Sequence, residues 1–109
     1  MSANDTLFFT REAKGAVVAS IEILHGVDDA EILNIETLPS HRRQGLAQSL
    51  LVEAFDWARQ NQRQALWLEV RASNDAAIQL YLKNGFLQMS MRQRYYADFE
   101  DALVMKYTL

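Results

Sequence analysis

The sequence predicts a single α/β (α+β) domain, a mixed and mostly antiparallel sheet with flanking helices in the order β-β-β-α-β-α-β-β. Three observations carry this. Three short runs rich in branched residues follow one another with only brief polar or glycine links, as an antiparallel meander requires. An amphipathic run after Gly45 then separates the third run from a fourth, so that pair is reached by a helical crossover and should be parallel. Finally, 109 residues, half of them hydrophobic, suffice for one core and one domain, 1–109.

Taken in order, residues 6–11 form a first strand, and Lys14-Gly15 suits a hairpin turn. Residues 16–24 are nearly apolar throughout, which marks a central second strand. A polar, glycine-bearing turn, His25-Gly26-Val27-Asp28-Asp29, leads to a third strand over residues 31–38, stopped by Pro39. The long helix that follows places Ala47, Leu50, Leu51, Ala54, Phe55 and Ala58 on one face at i, i+3, i+4 spacing, and Asn61-Gln62 can end it. Residues 64–70 read as the fourth strand. Ser73 or Asn74 caps a second helix over 75–83, which Asn84-Gly85 closes. A fifth strand is expected over 86–96 and, after a loop over 97–101, a sixth over 102–107.

Composition narrows the function classes. A net charge of −3 offers no general attraction for nucleic acid. Without cysteine there is no disulfide, no thiolate nucleophile and no cysteine zinc site, and His25 and His41 have no partners at ligand spacing, so no metal is expected. The first residues lack a basic start and an apolar run, and no apolar stretch is long enough for a bilayer. A soluble, cytoplasmic protein with no membrane contact is the expectation.

The chain is organised around Ser40-His41-Arg42-Arg43-Gln44-Gly45-Leu46-Ala47-Gln48, a basic turn between a strand and a helix. A helix start leaves amides unpaired and carries the positive end of the helix dipole. With a glycine permitting close approach and two arginines beside it, this is a place to hold a phosphate or pyrophosphate. Arg42-x-x-Gly45-x-Ala47 resembles the acetyl-CoA signature of the GNAT acetyltransferases. A second stretch strengthens the resemblance. Leu66-Trp67-Leu68-Glu69-Val70-Arg71-Ala72-Ser73-Asn74, then Ala77-Ile78-Gln79-Leu80-Tyr81 and Asn84-Gly85-Phe86, is similar to the ribosomal-protein alanine N-acetyltransferase group, as is Tyr95-Tyr96 followed by Glu100-Asp101-Ala102.

The resemblance implies a GNAT-like fold, splayed between the third and fourth strands, and an acetyl-CoA-dependent transfer to an amine. The expected acceptor is a protein N-terminal α-amine, that of a ribosomal alanine in particular. Glu69 matches the general base. Tyr81 matches the proton donor to the leaving thiolate. An amide near Ile35, Glu36 and Thr37 would hold the oxyanion. The amides of Arg42, Arg43, Gln44, Gly45, Leu46, Ala47 and Gln48 would cradle the pyrophosphate, and Asn74 would contact the cofactor. Each has a plainer reading: Glu69 alternates with Trp67 and could face solvent, Tyr81 sits at core spacing from Ala77 and Ile78, and Arg42 and Arg43 could be surface charges. Tyr95 and Tyr96 could pack or line the acceptor groove.

In that group a leading strand and two helices precede the segment matching Leu7, and they form one wall of the acceptor site; this chain is therefore expected to be N-terminally short. A short start would expose the first strand, with a homodimer through it as the expected remedy. Two other functions fit the same residues: acetylation of a small-molecule amine or a lysine, and a non-catalytic CoA-binding or assembly module.

Overall fold

The computed structural model describes residues 5–109. Its strands are β1 (Thr6–Ala13), β2 (Ala16–His25), β3 (Asp29–Thr37), β4 (Ala65–Arg71), β5 (Leu87–Arg92) and β6 (Ala102–Thr108), with helices α1 (Leu46–Gln60) and α2 (Asp75–Lys83). They form one six-stranded sheet in the order β1-β2-β3-β4-β6-β5, in which only β3 and β4 are parallel. The expected mixed fold and element order are therefore present. Lys14 (φ 52°) and Gly15 (φ 80°) make the β1–β2 hairpin turn, both in the left-handed region that a two-residue hairpin needs.

α1 covers one face of the sheet, because its apolar stripe meets the inward residues of the strands. Leu50, Leu51, Ala54 and Ala58 are fully buried against Ile21 and Ile23 of β2, Leu66 and Leu68 of β4, and Met105 of β6. An aromatic group closes the far end: Phe55 stacks on Tyr107 at 4.3 Å, and Phe86 lies 5.7 Å from both Tyr107 and Tyr81. Arg11 fastens β1 to α1, donating to Glu53 Oε1 at 2.8 Å and to Ser49 Oγ at 3.2 Å.

β3 and β4 pair only from Asp29↔Ala65 to Ile32↔Leu68. Beyond that point the two strands part. A bulge helps, since Ile23 of β2 faces Ile32 and Glu22 faces Asn34, leaving Leu33 unpaired and bending β3. The resulting fork is the splay the sequence reading expected.

The fifth strand is shorter than expected and ends at Arg92, not residue 96. Arg94 turns into the left-handed region (φ 52°) and its amide donates to Asp101 Oδ1 at 2.9 Å. Arg71 holds the loop from the side, reaching Asp98 at 2.9 Å and Glu100 at 3.0 Å and lying 4.0 Å from the Tyr96 ring centre. Tyr95 and Tyr96 thus sit in a clamped loop, despite their strand propensity. Among the described residues no helix is long and apolar enough to cross a membrane, and no three His, Asp or Glu side chains gather as a metal site.

Candidate active site

On the helix-covered side, the turn after β3 forms because Arg43 (φ 63°) and Gly45 (φ 78°) both adopt left-handed backbone. They reverse the chain so that α1 starts beside the end of β3. No side chain caps α1, and its first main-chain bond into the turn runs from the Ser49 amide to the Gly45 carbonyl at 3.0 Å. The first amides of the helix are thereby left open, the arrangement that takes an anion. Arg42 Nε donates to the Thr37 carbonyl at 3.2 Å, tying the basic turn to the last residue of β3.

This turn opens on a cavity of about 1100 Å³ that runs from β2 and β3 across to α2. Ile35, Glu36, Thr37, Arg42, Arg43, Gly45, Leu46, Ala47, Gln48, Asn74 and Tyr81 all line it, whereas Gln44 does not. Asn74 has a second task, because its Oδ1 accepts from the Ala77 amide at 3.2 Å and caps α2. Gln48 and Asn84 exchange two side-chain hydrogen bonds (2.6 and 2.8 Å), locking the start of α1 to the end of α2. Tyr81 is 8% exposed, and burial pushes its pKa up to about 12. It is a neutral phenol at any ordinary pH.

Glu69 stands on the other side of the fork. In β4 Leu66, Leu68 and Val70 are buried under the helices, so Trp67, Glu69 and Arg71 point to the open face. There Glu69 shares a second cavity, about 330 Å³, with Glu31, Trp67, Ser90, Arg92 and Val104. Its side chain is 19% exposed, Oε1 lies 3.8 Å from Arg92 Nε, and Oε2 is buried with no hydrogen-bond partner among the described residues. Burial, and then the negative charge of Glu69, raise the pKa of Glu31, against a smaller opposing effect of Arg92. The neighbouring Glu69 carboxylate also raises the pKa of the Tyr95 phenol.

The sequence-predicted residues therefore fall into two sets. The turn, Asn74 and Tyr81 share one cavity, and Glu69 looks into another at the same fork. Glu31 and Arg92 were passed over. For Glu31 a signal existed, since it alternates with the buried Ala30 and Ile32 and so shares the open face with Trp67 and Glu69. Arg92 had none, because only the insertion of β6 between β4 and β5 brings it near.

The forked parallel pair is the splay that the motif resemblance implied, and the open helix start after a left-handed glycine fits the anion-binding turn read from the residues. A model of the acetyltransferase (GNAT) family matches residues 1–86. The chain belongs to that family. Within the GNAT family it is similar to the [ribosomal protein bS18]-alanine N-acetyltransferase of Escherichia coli, 39% identical over 99 residues, which are 88% of this chain and 66% of the relative. An N-alpha-acetyltransferase of Sulfurisphaera tokodaii is 32% identical, across 93% of this chain and 68% of that protein. The crystal structure of the Escherichia coli ribosomal-protein-S18-alanine N-acetyltransferase superposes with a TM-score of 0.88 at 38% identity, covering 94% of this chain and 68% of that one. The chain thus spans about two thirds (66%) of the length of the first curated relatives it matches.

Proposed function

We propose that this GNAT domain transfers the acetyl group of acetyl-CoA to a protein N-terminal α-amine, and that the acceptor is the N-terminal alanine of a ribosomal protein. The observation that carries the reading is the fork itself, which has a pyrophosphate-type turn and a buried phenol on one side and a carboxylate with an unpartnered oxygen on the other. The similarity to the alanine N-acetyltransferases supports the choice of acceptor. A ribosomal acceptor would place the reaction in the cytoplasm.

The open amides of α1 and the Arg42–Arg43 turn would hold the pyrophosphate, and Asn74 would meet the rest of the CoA. The acetyl thioester supplies the activated carbonyl. Glu69 takes the proton that an α-ammonium must lose before its nitrogen can attack. An amide of the bent β3 segment, Ile35 to Thr37, receives the carbonyl oxygen as it gains charge. As the C–S bond breaks the nitrogen's second proton passes to the departing sulfur, and Tyr81 acts on that sulfur. A phenol with a pKa of about 12 gives up its proton less readily than a thiol of about 8.5, so its main work is to hydrogen-bond the emerging thiolate. Nothing in this chain offers a cysteine for a ping-pong intermediate, so the amine attacks directly.

Thiol release from acetyl-CoA tests the reading, and with no cysteine in the chain every new thiol comes from CoA. Release with an alanine-starting peptide, none with an N-terminally blocked lysine peptide, and loss in Glu69→Gln is the expected result. Release with the lysine peptide or a small amine alone would move the activity to another acceptor. Silence with all three, alongside acetyl-CoA protection against heating, would leave a CoA-binding module.

A further inference from the structure

The reactive fork has a second carboxylate that no motif points to. Glu31 lies one residue before the last β3–β4 pair, Ile32↔Leu68, and Glu69 lies one residue after it. Both point to the open face and line the same 330 Å³ cavity, so the two carboxylates flank the place where the strands part. Among the described residues Arg92 is the one cation lining that cavity, and at 3.8 Å from Glu69 it makes only a loose pair. Two carboxylates facing one guanidinium leave the cavity one negative charge in excess. Glu69 Oε2 adds a buried acceptor with no donor among the described residues. An unpaired buried acceptor is costly until a donor arrives.

The occupant that answers both deficits is a small cation carrying several N–H groups. We propose that Glu31 is a specificity-determining residue whose carboxylate, together with Glu69, receives the ammonium of the acceptor at the fork. This rests on the acyl-transfer reading above. Glu31 then binds the charged amine, and Glu69 takes its first proton: one N–H bond breaks, one O–H bond forms, and the freed lone pair attacks the thioester carbonyl. As the C–S bond breaks, the second N–H proton passes to the departing sulfur. Once acetylated, the nitrogen is a neutral amide with a single N–H, and the pair no longer holds it. The same two groups therefore favour substrate over product.

The test compares wild type, Glu31→Gln and Glu31→Asp on the alanine-starting peptide. Loss of one charge-assisted hydrogen bond predicts an acceptor KM raised roughly tenfold in Glu31→Gln. The acetyl-CoA KM and the kcat at saturating peptide should stay within about twofold, and Glu31→Asp should recover part of the loss. An unchanged acceptor KM in Glu31→Gln overturns the proposal, as does an equal rise in the acetyl-CoA KM. Titration calorimetry separates this from failure of the acyl-transfer reading, since it needs no turnover. Wild type should bind the free-amine peptide more tightly than its N-acetylated form, and Glu31→Gln should lose that preference. A wild type with no preference overturns the proposal whether or not it turns over.

Discussion

At the scale of single residues, Glu69 and Tyr81 are assigned separable tasks, and their variants should differ accordingly. Glu69→Gln keeps the shape of the open face but removes the proposed proton acceptor, so kcat should fall on the order of 10²–10⁴-fold with the acetyl-CoA KM nearly unchanged. Tyr81→Phe keeps the packing on Phe86 and removes only the hydroxyl. Its kcat loss should be smaller, on the order of 10-fold, as befits one hydrogen bond to the leaving sulfur. Tyr81 also makes a stability prediction. Its folded pKa of about 12 exceeds the ordinary 10.0, so the folded state holds the phenol proton more tightly than the unfolded chain does. That stabilisation is complete below pH 10 and is lost as pH rises through about 12. It amounts to about 2–3 kcal/mol. Urea unfolding between pH 9 and 12 should therefore show wild type losing more stability than Tyr81→Phe, and parallel losses would refute this. The places of Glu69, Tyr81 and Asn74 around the fork were legible because each stands in a contiguous stretch of recognisable order. Glu31 and Arg92 were not, because their meeting with Glu69 depends on sheet order and on where two strands separate.

Among the elements, α1 and its turn were the most legible, since an apolar stripe at helical spacing and a glycine beside two arginines are local signals. The end of β5 was not. Tyr95 and Tyr96 favour a strand, but Asp98 and Glu100 pair with Arg71, and Glu100 and Asp101 accept from the amides of Ser73 and Arg94, which holds the two tyrosines in a loop. Gly85 between α2 and β5 shows a local signal with a tertiary cause added. Its φ of +97° is the left-handed backbone expected after a helix, and a Cβ there would stand 2.9 Å from Tyr107 Cε2. Tyr107 is in turn packed against Phe55 and Phe86, so the ring has little room to move. Gly85→Ala should cost about 1–3 kcal/mol, from strained backbone and overpacking together. Thermal unfolding would show it as a fall of several degrees, and an unchanged midpoint would mean that α2 and β6 can shift apart freely.

For the whole molecule, the meander and crossover were readable from the order of elements, and the parallel pair followed from the helix between β3 and β4. The place of the fork was not readable, because it depends on a bulge opposite Glu22 and Ile23 that leaves no mark in composition. The same sheet order leaves β1 at an edge, with no strand on its outer side among the described residues. Natural edges are blunted by lysine, proline or a bulge. Among the described residues the one bulge of the β1–β2 pair is at Val18 of β2, opposite Arg11 and Glu12, and Arg11 is already spent on Glu53. The half before it, Thr6-Leu7-Phe8-Phe9-Thr10, is uncharged and prone to strand pairing, with Phe8 58% exposed. Two copies can join these halves antiparallel about a two-fold axis, making one continuous sheet centred near Phe8 and Phe9. Sedimentation velocity on the 109-residue chain should accordingly show a concentration-dependent dimer. Phe8→Lys places a charge at the centre of the join and should give a monomer whose thermal midpoint is close to that of wild type at dilution. A wild type that stays monomeric at high concentration would show that the edge is protected by something other than a second copy.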